Sequence, residues 1–93
     1  MHKEEITVQH AVGLHARPAA VFVRLAASFP ATIQIRKVGE QGRSANAKSI
    51  LSVLGLGVNQ GDRVEIEADG ERAAEALQAL VDLIRGNFGE SPG

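Results

Sequence analysis

Apolar and polar positions along this chain alternate with two different periods. Over residues 4–9, Ile6 and Val8 alternate with Glu5, Thr7 and Gln9. That two-residue step is the mark of a strand with one buried face. It returns over residues 31–38, where Ile33 and Ile35 stand against Thr32, Gln34 and Arg36, and again in Val64, Ile66 and Ala68 against Arg63, Glu65 and Glu67. Between these stretches the period lengthens. Over residues 16–29, Ala19, Phe22, Val23, Ala26 and Phe29 recur at helical steps, and Pro30 closes the run, which predicts an amphipathic helix with its stripe on a core. After Asp69 and Gly70, Ala73, Leu77, Leu80, Val81, Ile84 and Phe88 form a second stripe. Glu71 at its start and Arg85 near its end both suit a helix dipole, and Gly86 serves as a terminator.

Residues 39–42 read as a turn into a short strand over 43–47, which makes a hairpin with the preceding strand. A short helix is predicted within residues 48–57, with Ser49 as its N-cap and Gly55 and Gly57 as stops. Ile50, Leu51, Val53 and Leu54 are more apolar residues than one buried stripe needs, so part of this helix should face outward. Exposed apolar surface rimmed by polar residues tends to mark a partner site. The element order is therefore strand, helix, strand, strand, helix, strand, helix. Strands that alternate so cleanly imply a sheet with one wet face and helices on the other.

At 93 residues the chain reads as one domain, 1–93, too small to enclose a large substrate cavity. That favours a carrier or binding module over a self-sufficient enzyme. The net charge of −1 with interspersed signs gives no electrostatic case for nucleic acid. The only aromatic residues, 3 phenylalanines, argue against a base-stacking surface. With no cysteine, thiolate chemistry and disulfides are excluded. No apolar run approaches a membrane span or a signal-peptide core, so a cytoplasmic protein without membrane insertion is expected. The last residues, 90–93, read as a loose tail.

Candidate chemistry gathers in Val12-Gly13-Leu14-His15-Ala16-Arg17-Pro18. Pro18 fits the first turn of a helix, where its missing N–H costs little. The amides that open a helix lack acceptors and, with the dipole, favour an anion. A phosphoryl group on His15 would be such an anion, received by the amides of Ala16 and Arg17, with the Arg17 guanidinium reaching phosphoryl oxygens. Gly13 lets the loop turn before the histidine. The plainer reading is that His15 only caps a helix, although histidine lies outside the preferred capping set. One face of the same helix carries Arg17, Ala20, Val21 and Arg24, a mixed patch starting at His15. The spacing of His2, His10 and His15 follows no metal-ligand pattern, so no metal is expected.

The string Gly13-Leu14-His15-Ala16-Arg17-Pro18 resembles the phosphorylation signature of the HPr family, the histidine-containing phosphocarriers of the bacterial phosphoenolpyruvate-dependent sugar phosphotransferase system. Ala47-Lys48-Ser49-Ile50-Leu51 is similar to the segment that holds that family's regulatory serine. The element order is similar as well. The resemblance implies an α+β open-faced sandwich, βαββαβα, in which a four-stranded antiparallel sheet carries three helices on one face. It implies that His15 accepts a phosphoryl group on Nδ1 from phospho-enzyme I and passes it to the IIA domain of a sugar-specific enzyme II, with Arg17 steadying it in transit. Ala20, Arg24, Leu51 and Leu54 would form the docking patch. Ser49 would be the target of an ATP-dependent HPr kinase/phosphorylase. On this reading the protein is a phosphocarrier and not an enzyme in its own right; it needs no cofactor and is expected to be a monomer, because both transfers need His15 exposed.

Two other readings remain. A nitrogen-type phosphotransferase paralogue would use the same residues in a regulatory phosphorelay. A pure interaction module would have the fold without transfer, and the presence of both His15 and Arg17 argues against it.

Overall fold

Ile33, Ile35, Val64, Ile66 and Ala68, the apolar members of the alternating runs, all lie on one sheet face and are shut off from solvent. In the computed structural model, which describes residues 2–39 and 43–89, that face is covered by three helices. In chain order the elements are β1 (His2–Thr7), α1 (Ala16–Ala27), β2 (Thr32–Lys37), β3 (Ser44–Asn46), α2 (Ile50–Leu54), β4 (Arg63–Asp69) and α3 (Ala73–Arg85), followed by a 3-10 turn over Asn87–Gly89. The strands form one sheet in the order β1-β4-β2-β3, every neighbouring pair antiparallel. This is the expected open-faced α+β sandwich. The uncovered face is polar. Arg36 lies opposite Glu65 in the β2–β4 register, and its Nε donates to Glu65 Oε1 at 2.8 Å.

The core lies between sheet and helices. Phe22 of α1, Val53 of α2, and Leu80 and Ile84 of α3 fill it, with Val8 and Leu14 from the segment after β1. Val23, expected on the α1 stripe, is only partly buried and packs at its margin. No helix among the described residues is long and apolar enough to cross a membrane.

Boundaries differ from the sequence reading where backbone chemistry intervenes. β1 starts at His2, and Val8 bonds beyond its regular end, donating to Asp62 O at 2.9 Å and accepting from Gly61 N–H at 2.8 Å. α1 stops at Ala27, before Phe29 and Pro30, and its C-cap Ser28 turns its hydroxyl back onto the Leu25 carbonyl at 2.6 Å. α3 does not open at Asp69 and Gly70. Gly70 has φ 103° and Arg72 φ 61°, both outside the helical region, so the helix starts at Ala73 and its first-turn acid is Glu75, not Glu71. Arg72 is held there by Glu75, at 2.7 Å, and by the Phe29 ring, 5.1 Å from its guanidinium carbon. Of the expected turn over 39–42 only Gly39, at φ 91°, lies within the described residues. The expected tail, 90–93, lies outside them.

Candidate functional site

The loop that delivers His15 is fixed at both its near and far sides. Gly13 sits at φ 70°, and a Cβ there would meet the Val58 carbonyl oxygen and lie 2.7 Å from Asn59 Cα. Only glycine allows that close approach. The next residue seals it: Leu14 N–H donates to Val58 O at 2.9 Å, and its side chain is fully buried. On the near side, Gly13 N–H donates to His10 O at 2.9 Å and Val12 N–H donates to His10 Nδ1 at 3.2 Å. The His10 ring meets Phe88 edge-on, with centroids 5.9 Å apart.

His15 is the N-cap of α1 in extended conformation, with φ −131° and ψ 170°, yet its side chain caps nothing. The half-buried ring instead places Nε2 3.2 Å from Asn59 Oδ1. A carboxamide oxygen only accepts, so this contact is a hydrogen bond in the tautomer that carries its proton on Nε2, and that tautomer leaves the Nδ1 lone pair for chemistry. Ala16 follows at φ 50°, in the left-handed region that costs an L-residue roughly 1–2 kcal/mol. A left-handed residue leading into right-handed helix is a backbone shape that turns successive amides to one side. Among the described residues neither the Ala16 nor the Arg17 amide has an acceptor. The Arg17 side chain is exposed and likewise makes no hydrogen bond or ion pair there. A nucleophilic nitrogen, two open donors and an uncommitted guanidinium thus lie within three consecutive residues.

Asn59 escaped the sequence reading. It stands in the turn before β4, where its N–H donates to Asp62 Oδ2 at 2.8 Å and its carbonyl accepts from Asp62 N–H at 3.0 Å. The Asn59 amide, aided by Lys37, whose Nζ lies 3.3 Å from Asp62 Oδ2, holds the Asp62 carboxyl below its ordinary range despite some desolvation. Lys37 Nζ also donates to Gly57 O at 3.3 Å, tying β2 to the same turn. Nothing in the local sequence around Asn59 signals a partner across the fold.

Ser49 is the N-cap of α2, half-buried, with its Oγ accepting from Ser52 N–H at 3.3 Å. Of the apolar residues of α2, Val53 is buried while Ile50, Leu51 and Leu54 are exposed, Leu51 to 80%. α2 packs against α1. On α1, Arg24 is exposed and Ala20 half-buried. Val12, in the loop before His15, adds an exposed apolar side chain that the sequence reading did not place in the patch. His2, His10 and His15 do not gather into a metal-ligating group among the described residues.

A family profile described as the PTS HPr component phosphorylation site matches residues 2–86. The chain belongs to the HPr family. Its HPr relatives include the phosphocarrier protein HPr of Streptomyces coelicolor, 39% identical over 92 residues, which cover 99% of this chain and 97% of that protein. The structure of HPr from Thermoanaerobacter tengcongensis superimposes with a TM-score of 0.92 at 42% identity, covering 99% of this chain and all of that one. The multiphosphoryl transfer protein of Salmonella typhimurium is 37% identical over 86 residues, 92% of this chain. There the chain spans only 23% of the relative's length, so that protein holds much besides an HPr-like segment.

Proposed function

We propose that this HPr-family chain carries a phosphoryl group on His15, accepting it from phospho-enzyme I and handing it to the IIA domain of a sugar-specific enzyme II. The observation that supports this most is the state of His15, with Nε2–H engaged by Asn59 and Nδ1 beside two open amides at a helix start. Transfer between two histidines needs little covalent help; it needs positioning and relief of negative charge. Arg17 and the Ala16 and Arg17 amides supply the charge relief, with no cofactor or metal. The chain acts as substrate of one protein and donor to another, a phosphocarrier without turnover of its own.

Arg17, Ala20, Arg24, Leu51 and Leu54 form the docking surface in this reading, an apolar centre with basic groups at the rim. Such a surface suits brief contact with an acidic partner, where charge sets the encounter rate more than the affinity. A monomer keeps it open. Ser49 is the regulatory position: phosphorylation by an ATP-dependent kinase would place a dianion at the α2 N-cap, which the helix tolerates, beside a surface that must meet acidic partners. Ser49→Asp is expected to slow phosphoryl acceptance from enzyme I, and an unchanged rate removes the regulatory role.

The carrier reading is tested by incubation with phosphoenolpyruvate, Mg²⁺ and an active enzyme I, followed by intact mass before and after acid treatment. The expected product is one acid-labile phosphate, absent from His15→Ala. No gain in mass with enzyme I from the protein's own source contradicts the reading.

A further inference from the structure

We propose that Asn59 positions His15 for phosphoryl acceptance by holding the ring proton on Nε2, a role that rests on the carrier reading above. The Asn59 carboxamide oxygen lies 3.2 Å from His15 Nε2. Among the described residues this is the only hydrogen bond its side chain makes. Its backbone, by contrast, is locked into the turn by Asp62 on both sides, and Gly13 packs against its Cα. The backbone that carries the acceptor is therefore fixed, and it is built against the same loop that carries the histidine.

The chemistry gives that contact a purpose. In the transfer the Nδ1 lone pair forms a bond to phosphorus while the N–P bond of the donor phosphohistidine breaks, its electron pair returning to the donor nitrogen. The Nε2 proton stays where it is. The imidazole so phosphorylated carries a formal positive charge shared over the ring, and its Nε2–H becomes a stronger donor. The bond to Asn59 Oδ1 then becomes charge-assisted, and such bonds are roughly twice as strong as neutral ones. An interaction that tightens as the N–P bond forms favours the transition state over the ground state. The opposite tautomer, with the proton on Nδ1, has no lone pair there and must shed that proton first. It would also turn Nε2 into an acceptor facing the Asn59 oxygen.

The test uses Asn59→Ala and Asn59→Asp in the full chain. Long-range ¹H–¹⁵N spectra recorded where the imidazole is neutral read the tautomer without any partner. The wild type is expected to show a protonated Nε2 and a bare Nδ1. In Asn59→Ala the two nitrogen shifts should approach each other, and Asn59→Asp, which keeps an acceptor, should restore the wild-type pattern. In the enzyme I assay Asn59→Ala should lower kcat for acceptance about tenfold at unchanged KM, the scale of one hydrogen bond to a charged group. Unchanged shifts or an unchanged kcat in Asn59→Ala, with the wild type charging normally, overturns the role of Asn59 alone. A wild-type protein with the fixed tautomer that takes no phosphoryl group overturns the carrier reading, and this role with it.

Discussion

Arg17 stands at the site with nothing to hold it among the described residues, which suits a side chain that meets its anion only when a phosphoryl group arrives. A hydrogen bond to a charged group contributes about 1.5–3 kcal/mol, so Arg17→Ala is expected to slow phosphoryl transfer roughly ten- to a hundredfold. Arg17→Lys should recover only part of that, because an ammonium lacks the planar fork; steady-state kinetics with enzyme I check both. Asp62 makes a prediction about pH. Its carboxyl is held below the ordinary range, chiefly by the Asn59 amide, so its contribution is fully present above the ordinary carboxylate range. It is lost as pH falls through the lowered value. Thermal melts of wild type and Asp62→Asn should differ at neutral pH and converge in acid; a constant difference contradicts this. At this scale the sequence puts His15 and Arg17 into one candidate site because they are neighbours in the chain. It does not put Asn59 there, since Asn59 meets His15 across 44 residues and only turn closure brings the two together.

Among the elements, the loop before α1 matters most, because its backbone sets where His15 points. Gly13→Ala would force both a left-handed alanine and a clash with the Val58 carbonyl. We expect a loss of roughly 1–3 kcal/mol in urea unfolding, together with a disturbed His15 tautomer, since Gly13 backs onto Asn59. A neutral stability change would show that the loop yields more easily than the close packing implies. The elements themselves could be read from their periods, and so could the Ser49 cap. Their ends were less legible. Gly70 and Arg72 adopt positive φ, a backbone choice that composition does not announce, and the Ser28 hydroxyl closes α1 before Pro30 has any part in it.

For the molecule as a whole, alternation told which sheet face is buried but not which strands are neighbours. β4, late in the chain, sits between β1 and β2, and nothing within a single strand specifies that order. In the same layering α2 packs against α1 and β3, with Leu51 standing 80% exposed. If this is the docking centre, Leu51→Glu should raise KM for enzyme I about tenfold, as for a moderate hot spot, while the melting temperature hardly moves. Equal KM values would place the docking surface elsewhere. Carriage of a phosphoryl group between two proteins is tested most directly by its discharge. The protein is charged with ³²P, freed of enzyme I and offered to a purified IIA domain, with label followed on both chains. Label is expected to leave His15 and to appear on the IIA domain in the same proportion, much faster than it is lost to water. Label that stays on the carrier, or appears only as inorganic phosphate, would contradict the carrier role.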